Sequence, residues 1–537
     1  MASLEDHSAW ARWTVPALAF AVGAGLRYLL LNTGFPNDHF VYITAGWQML
    51  SGDWPTRDWV DPGLPLQFLA SAAAQAVFGS TLFAEGVLVS FAFGTAAALT
   101  ALVVVESTGS AALATWAALL EIAILPRSYG YPKMLVYAAG CLALQRYAAR
   151  PGSASRWAVA AAVAIGFLFR HDHGVFVGLA AALAAWLSAE PATWTQRVRD
   201  VAKVATAALA LLSPYLVYVA VYGGWPAYLR TGLEFSAQEA ERQPHIWPSV
   251  FGGDPWQSML VYELYAIPVI AGIALARLRP RAGWRRPMAF VAPVAAMAAA
   301  ITYSFVRDPL ESRLPDAIVP AVVLGAWLCR QARAAARPAL MRAVAVTSAV
   351  LFSVSVLRVG NVVRAYEQSD LASEWDVTLL AGRVTSALRE RRPERLFPSR
   401  ASLSLRPFFA YLDRCTAPRD RLLIGGYLVE VPFLAERGFA GGQPYFGGSF
   451  AGSPATEARI LGRLAQQPVP FALLPSDAEE DFEREFPAVA QYLRGRYTLL
   501  SDVKVTDELD VRIVVDRQLR ATSTDEGTGW PCFSPQR

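Results

Sequence analysis

Long apolar segments restrict what this chain can fold into more than any other feature of its sequence. Over the first two-thirds of its 537 residues, apolar runs follow one another. Most are of roughly 17–25 residues, the length of helix that spans the hydrocarbon core of a bilayer. Only 17% of the residues are charged, below the roughly 25% typical of soluble proteins. The pattern predicts about eleven membrane helices, near residues 13–31, 81–105, 109–126, 131–148, 156–169, 173–189, 201–222, 259–276, 287–305, 315–331 and 340–358.

Two apolar segments near the N-terminus need separate interpretations. The run from Trp13 to Leu31 follows the acidic residues Glu5 and Asp6 and lacks a small-residue cleavage site. It is therefore predicted to be the first membrane helix and not a signal peptide. Residues 62–79 are apolar but short and begin with two prolines, which favours a re-entrant or interfacial helix.

Basic residues on alternate loops predict the orientation, because cytoplasmic loops carry an excess of lysine and arginine. If the N-terminus is cytoplasmic, the later cytoplasmic loops are 146–156, 190–203, 277–286 and 330–342, and each contains three to five such residues. Abundant alanine and arginine with little lysine are typical of a GC-rich bacterial genome. We therefore expect a multi-pass protein of a bacterial cytoplasmic (inner) membrane, with the C-terminal part outside.

With this orientation, the unusual polar segments all fall on the external side. They are the stretch from Asn32 to Pro65, the turn 126–133, the segment 169–174 and the loops 223–258 and 304–316. The sequence predicts that these five segments converge on one face of the protein.

After about residue 360 the composition becomes mixed and polar. Residues 421–426, 470–476 and 510–516 are typical of short strands, and residues 455–467 and 479–495 of helices. We expect a membrane domain over 1–360, with a first external loop at 32–80, then a small external α/β domain over 361–520. The glycine-rich segment 438–452 is predicted to be a flexible loop. The tail 521–537 is predicted to be disordered.

The first external loop contains the most informative carboxylate. Asp38 directly follows a membrane helix and lies among Phe, Tyr and Trp residues. A carboxylate near hydrocarbon is costly, so it should face a cavity and have a function. The alternative is that Asn37 or Asp38 caps the helix that begins there.

The residues around Asp38 resemble a known pattern. Asp38-His39 is followed by Tyr42, Ala45, Met49-Leu50 and Gly52-Asp53-Trp54-Pro55, and then by the Pro62/Pro65 segment, which ends in Phe78-Gly79. This is similar to the first external loop of the C-type glycosyltransferase superfamily, which includes bacterial lipid A aminoarabinose transferases and protein O-mannosyltransferases. Those families usually have Asp-Glu or Asp-Asp and a later Pro-Pro pair. This chain has Asp38-His39 and Asp61-Pro62, so the resemblance is to a divergent member.

The resemblance implies a polytopic helical fold through about residue 360 and a sugar transfer from a polyprenyl-phosphate donor. The acceptor would be an external lipid, glycan or protein of the cell envelope, and the sugar a hexose or pentose. Asp38 would be the base that takes the acceptor proton. Direct displacement of the phosphate would invert the anomeric centre.

The leaving phosphate needs positive charge to stabilise it. The external candidates are Arg127, Lys133, Arg170 and Arg307. Two alternatives remain open. Residues 127–133 could anchor a helix at the membrane interface, and residues 307–313 could form an internal ion-pair network.

A second polar cluster, Arg170 to His173, lies between two apolar segments. Asp38, His171, Asp172 and His173 could hold a divalent metal. Arg170 and Asp172 could instead contact phosphate or acceptor, or the cluster could cap helix ends. His39 and Asp61 are further candidates for substrate or metal contact. No cofactor follows with certainty from the sequence.

Two other function classes are compatible with a polytopic chain. A flippase or transporter of a lipid-linked sugar should show inverted repeats, and none is visible. A membrane-anchored assembly protein would leave Asp38 without a role. The sequence lacks a basic tract with interleaved aromatics, so nucleic acid is not an expected partner, whereas membrane lipids are. An external location would permit a disulfide between Cys415 and Cys532.

Overall fold

The structure is a computed structural model that describes residues 2–188, 193–242, 247–249, 252–278, 284–304, 310–333, 338–374, 376–447, 452–506 and 509–533. Its first part is almost entirely helical. The helices are α1 (Ala2–Leu29), α2 (Asn37–Leu50), α3 (Pro65–Phe78), α4 (Leu82–Thr108), α5 (Ala111–Ile124), α6 (Tyr131–Ala149), α7 (Ser153–Phe169), α8 (His171–Ser188), α9 (Trp194–Tyr222), α10 (Trp225–Arg242), α11 (Pro255–Leu278), α12 (Arg285–Ser304), α13 (Ile318–Arg333), α14 (Pro338–Val359) and α15 (Val362–Gln368).

Each of the eleven segments predicted to be membrane helices coincides with a helix in the described part of the structure. Within the described residues, six helical segments are long and apolar enough to cross a membrane: Trp10–Thr33, Leu82–Thr108, Trp194–Tyr222, Pro255–Leu278, Leu310–Arg333 and Ala339–Gln368. The architecture is that of a multi-pass membrane protein.

Small residues allow these helices to pack closely. A Cβ on Gly94 of α4 would lie 2.8 Å from the Cβ of Ala24 and 2.9 Å from the carbonyl oxygen of Phe20, both on α1. Glycine at this point therefore lets the two backbones approach each other, as is common between membrane helices.

The two short helices of the first loop, α2 and α3, pack on each other. Gly46 of α2 lies directly against Ser71 and Ala72 of α3, and the Gln75 amide donates to the carbonyl oxygen of Ile43. With 14 residues, α3 is about 21 Å long, shorter than the roughly 30 Å hydrocarbon core. This length fits the predicted re-entrant or interfacial helix.

The C-terminal part is an α/β domain around a five-stranded sheet of order β2-β1-β3-β5-β4. Parallel pairs join β1 to β2 and to β3, and antiparallel pairs join β5 to β3 and to β4. Its strands are β1 (Arg421–Ile424), β2 (Gly438–Phe439), β3 (Phe471–Pro475), β4 (Tyr497–Lys504) and β5 (Asp510–Asp516). Its helices are α16 (Val377–Arg389), α17 (Arg400–Ser404), α18 (Arg406–Cys415), α19 (Val431–Ala435), α20 (Pro454–Leu464), α21 (Glu479–Glu485) and α22 (Pro487–Arg496).

The three predicted strands are present as β1, β3 and β5. The single helix predicted over 479–495 is instead two helices, because Pro487 cannot continue the hydrogen bonds of α21 and begins α22. The glycine-rich segment also differs from the predicted flexible loop. It contributes β2 to the sheet and is buried as far as Phe446, and residues 448–451 lie outside the described residues.

The prediction of a disordered tail over 521–537 is wrong for residues 521–533. Strands β6 (Ser523–Thr524) and β7 (Pro531–Cys532) pair there. Cys532 forms the predicted disulfide with Cys415, and the Asp525 carboxylate accepts hydrogen bonds from Arg414. The disulfide and this ion pair order a segment that its composition predicts to be disordered. Residues 534–537 lie outside the described residues.

The α/β domain docks on the first loop. Arg421 of β1 forms an ion pair with Asp53 at 2.6 Å. The backbone N–H of Phe439 donates to the side chain of Gln48, and that of Val60 donates to the carbonyl oxygen of Gly442. These contacts hold the amino end of β1 and the strand β2 against the C-terminal end of α2 and the residues that follow it. Beyond the carboxyl end of β1, the Tyr427 hydroxyl donates to Asp38 at the start of α2.

Candidate functional site

A cavity of about 780 Å³ lies where the first loop, the helix ends and the α/β domain meet. Its size is within the range of small-molecule sites. All five polar segments that the sequence predicts to converge contribute to its wall, which confirms their convergence. The lining includes Asp38, Tyr42, Arg127, Tyr129, Lys133, Arg170, His171, Asp172, His173, Gly232, Phe235, Ser236, Ser312, Arg313, Asp316, Tyr427, Phe439 and Tyr445.

Asp38 lies in the first turn of α2, where the helix dipole favours a carboxylate. Neither Asn37 nor Asp38 caps this helix, because the N-cap position is Pro36 and no side chain bonds to the first turn. The Tyr427 hydroxyl donates to Oδ1 of Asp38, and Arg127 Nη1 lies 3.8 Å from Oδ2. The side chain is 41% exposed and faces the cavity, so a group bound there can reach the carboxylate.

Three of the four predicted phosphate-binding cations line the same cavity, and each has a polar partner. Arg127 donates to the Tyr129 hydroxyl at 2.9 Å, Lys133 to Asp316 at 2.6 Å, and Arg170 pairs with Asp172 at 2.9 Å. Arg307, the fourth, lies outside the described residues. The pairing fixes the cations in place and leaves donor groups for an anion, because Arg has five N–H donors and Lys three.

The Arg170–Asp172 pair sets the charge state at the junction of α7 and α8. The Asp172 carboxylate raises the pKa of Arg170 despite burial. Burial on its own would raise the pKa of Asp172, but Arg170, His173 and Lys133 together lower it below its ordinary value. Both groups are therefore charged at neutral pH.

The donor set of the second polar cluster does not fit a metal. Nε2 of His171 is 2.7 Å from the Tyr228 hydroxyl, and Nδ1 of His173 is 2.9 Å from the Tyr137 hydroxyl. Among the described residues, only Cys415, Asp525 and Cys532 bring three potential ligand atoms together. The two sulfurs of that group form the disulfide. The geometry thus argues against a metal and leaves open contact with a phosphate or acceptor and capping of the helix ends, where Asp172 accepts the backbone N–H of His173.

Two predicted site residues do not line the cavity. His39 is buried and bonds to Glu85 of α4 at 3.0 Å and to Ser128 at 2.9 Å. These bonds hold α2 against its neighbours, and the ring does not line the cavity. Asp61 is also buried, and its Oδ1 accepts the backbone N–H groups of Gly63 and Leu64.

Sequence reasoning missed the part of the site that the α/β domain supplies. Tyr427, Phe439 and Tyr445 line the cavity, and the rings of Tyr427 and Tyr445 are perpendicular at 4.9 Å. Tyr427 follows β1, which has parallel neighbours on both sides. Binding residues are common at the carboxyl ends of parallel strands. The position of Tyr427 just after the predicted strand 421–426 could therefore have indicated from the sequence that it is a binding residue.

Comparison with solved structures finds a similar fold. One similar structure is the crystal structure of ArnT from Cupriavidus metallidurans bound to undecaprenyl phosphate. The superposition covers 94% of this chain and 99% of the ArnT chain, with a TM-score of 0.50 and 15% sequence identity. The chain therefore shares its overall fold with this ArnT structure. Its sequence matches no protein-family model and no curated protein sequence.

The shared fold agrees with the resemblance to lipid A aminoarabinose transferases in the first loop, although the overall identity is low. The match also extends beyond the helical part, because 94% of the chain includes most of the α/β domain.

Proposed function

We propose that the protein is an inverting glycosyltransferase that moves a sugar from a polyprenyl-phosphate donor to an acceptor of the cell envelope. The observation that carries this proposal is the placement of one carboxylate, Asp38, and three cations, Arg127, Lys133 and Arg170, on one cavity. The fold supports it, because the similar ArnT structure contains undecaprenyl phosphate.

The chemistry needs these two kinds of group on the same cavity. An acceptor hydroxyl attacks the anomeric carbon of the donor while Asp38 takes the hydroxyl proton. The bond from that carbon to the phosphate oxygen breaks, and its electron pair leaves with the phosphate. Arg127, Lys133 and Arg170 stabilise the added negative charge. A single displacement inverts the anomeric centre.

The cavity and the α/β domain lie, in this proposal, outside a bacterial inner membrane. The arginine asymmetry of the loops supports the orientation, and a disulfide such as Cys415–Cys532 is typical of an oxidising compartment. A phosphatase reporter fused after Arg537 should be active outside the cytoplasm. Activity only of a cytoplasmic reporter at that position would exclude an external site.

The direct test is turnover by the purified protein in lipid nanodiscs. Undecaprenyl-phosphate pentose, hexose and amino-sugar donors would be incubated with a bacterial envelope extract, and free undecaprenyl phosphate would be measured by mass spectrometry. We expect release with at least one donor and only when extract is present. Movement of intact donor between leaflets of proteoliposomes without any release would indicate a flippase instead.

A further inference from the structure

A chain of hydrogen bonds connects the buried Asp61 to the wall of the cavity. The Tyr215 hydroxyl of α9 donates to Asp61 Oδ2 at 2.8 Å. Tyr215 and Tyr228 of α10 share a hydrogen bond of 2.8 Å, and the Tyr228 hydroxyl is 2.7 Å from Nε2 of His171. His171 lines the cavity, whereas Asp61 does not.

Burial raises the pKa of Asp61, and the hydrogen bonds from Leu64, Tyr215 and Gly63 oppose this effect. Three donated hydrogen bonds favour the carboxylate form. An ionised Asp61 gives the chain of hydrogen bonds a direction.

A carboxylate can only accept hydrogen bonds, so Tyr215 donates its single hydroxyl proton to Asp61. Tyr228 must then donate to the Tyr215 oxygen, which uses the single proton of Tyr228. Nε2 of His171 must therefore carry a proton and donate it to Tyr228. In a neutral imidazole with this tautomer, Nδ1 is an acceptor.

The surroundings of His171 hold the ring in this arrangement. The ring stacks on Phe167 at 4.3 Å. Gly63 has a φ of +104°, and a Cβ there would lie 2.4 Å from Cε1 of His171, so only glycine fits both the backbone and the ring. Burial lowers the pKa of His171 against the opposing effect of Asp61 and Asp172, which favours the neutral ring. Within the described residues, the hydrogen bond of the His171 ring is on Nε2. Nδ1 lies beside Gly63 and near Gly232, which lines the cavity: a Cβ would be 2.5 Å from Nδ1 if built on Gly63 and 3.8 Å if built on Gly232.

We propose that Asp61, Tyr215 and Tyr228 are positioning residues that fix the tautomer of His171, so that Nδ1 accepts a hydrogen bond from a sugar hydroxyl bound in the cavity. The substrate contact rests on the proposed function, whereas the relay itself does not. The hydroxyl belongs either to the donor sugar or to a glycan acceptor. Asp61 thus influences the cavity without lining it.

Nitrogen NMR of the full-length protein tests the relay without any substrate. The chain has five histidines, and ¹⁵N-histidine labelling in proteoliposomes gives separate signals for protonated and unprotonated ring nitrogens. Loss of a signal pair in His171→Asn assigns His171. We expect the wild type to carry its proton on Nε2. A wild-type ring protonated on Nδ1 would overturn the relay.

Substitution of Asp61 gives the sharpest expectation. In Asp61→Asn, the amide oxygen can keep the bonds from Gly63 and Leu64, so its NH₂ group faces Tyr215. The chain then reverses, and Tyr228 donates to Nε2. We expect the proton of His171 to move to Nδ1. Tyr228→Phe should remove the preference for Nε2. Tyr218→Phe is the matched control, because its hydroxyl bonds to the carbonyl oxygen of Pro55 and lies outside the relay. An unchanged tautomer in both relay variants would overturn the proposal.

Turnover tests the substrate contact. His171→Phe should raise KM about tenfold, the effect of losing one hydrogen bond, while His171→Asn, whose amide oxygen can replace Nδ1, should recover most of it. If His171→Phe raises the KM for the donor, the hydroxyl belongs to the donor sugar. If it raises the extract concentration needed for half-maximal turnover, the hydroxyl belongs to the acceptor. Equal KM values in wild type and His171→Phe would overturn the contact. If the wild type shows the Nε2 tautomer but no turnover, the relay stands and the proposed glycosyl transfer fails.

Discussion

The two walls of the cavity differ in the chemistry that they provide. The helical wall consists of Asp38, Arg127, Lys133 and Arg170, all at helix ends or in the turns between helices. The domain wall consists of Tyr427, Phe439 and Tyr445 from the α/β domain, and these residues are aromatic and uncharged. The helical wall can stabilise an anion and accept a proton. The domain wall offers ring faces and hydroxyls, which suit a sugar or another polyhydroxylated group.

Under the proposed function, this difference corresponds to two separate tasks, phosphate stabilisation by the helical wall and acceptor recognition by the domain wall. Charges that act on a reacting phosphate must be held rigidly, and the ion pairs Lys133–Asp316 and Arg170–Asp172 provide that. Recognition of the acceptor can be assigned to a separate domain that docks through Asp53–Arg421. Variants of the helical wall should therefore reduce the rate of transfer or donor binding, whereas variants of the domain wall should have smaller effects.

The largest effect is expected from Asp38→Asn, which keeps the shape of the side chain but removes the base. Turnover of the polyprenyl-phosphate donor should fall by about 10²-fold or more. Asp58→Asn is the matched control, because Asp58 belongs to the same loop but does not line the cavity. Near wild-type turnover by a folded Asp38→Asn protein would contradict the role of Asp38.

A smaller loss is expected from Arg170→Gln. It removes a charge that faces the phosphate and leaves Asp172 without its cation, so KM for the donor should rise about 30-fold, the range of a charge-assisted hydrogen bond. Arg146→Gln is the control, since Arg146 pairs with Glu106 and lies away from the cavity. Equal donor KM values for the two variants would mean that the helical wall does not bind the phosphate.

Tyr427→Phe tests the domain wall at its point of contact with Asp38. The variant keeps the ring but loses the hydroxyl that donates to Oδ1. Turnover should fall about tenfold, the lower end of the effect of one hydrogen bond to a charged group. Tyr492→Phe, in the same domain but away from the cavity, should have no effect. A loss as large as that of Asp38→Asn would show that the two walls are not separable.

The smallest effect is expected from Asp53→Asn, which weakens the docking of the α/β domain without touching the cavity. Asp53 and Arg421 are both mostly buried and 2.6 Å apart, while several backbone hydrogen bonds remain at the same interface. Turnover should fall less than threefold, and limited proteolysis between α16 and β1 should become faster. An unchanged proteolysis rate would mean that this ion pair does not hold the domain.

The sequence predicted the helical wall better than the domain wall for a physical reason. Apolar runs give helix positions, and a polar residue at the end of such a run is conspicuous, so Asp38, Arg127, Lys133 and Arg170 could all be singled out. Tyr427 and Tyr445 occur in a mixed segment where tyrosine is unremarkable. Their role depends on how the sheet docks on the first loop, which local sequence patterns do not encode.

The same limit explains His39 and Asp61. Both are polar residues of the first external loop, and the sequence placed them at the site. Whether such a side chain faces a cavity or an internal partner depends on tertiary contacts. Glu85 and Ser128 bind His39, and Tyr215 binds Asp61. The ordering of the C-terminal tail likewise depends on Cys415, more than a hundred residues away in sequence.

The most direct test of the two-wall account is a cryo-electron microscopy structure of the protein in nanodiscs with undecaprenyl phosphate. The account predicts phosphate oxygens about 2.7–2.9 Å from nitrogens of Arg170 and of Lys133 or Arg127, the distance of charge-assisted hydrogen bonds. The space between the phosphate, Asp38 and the domain wall should remain open for a sugar and its acceptor. A phosphate bound against Tyr427 and Tyr445, or outside the cavity, would contradict the account.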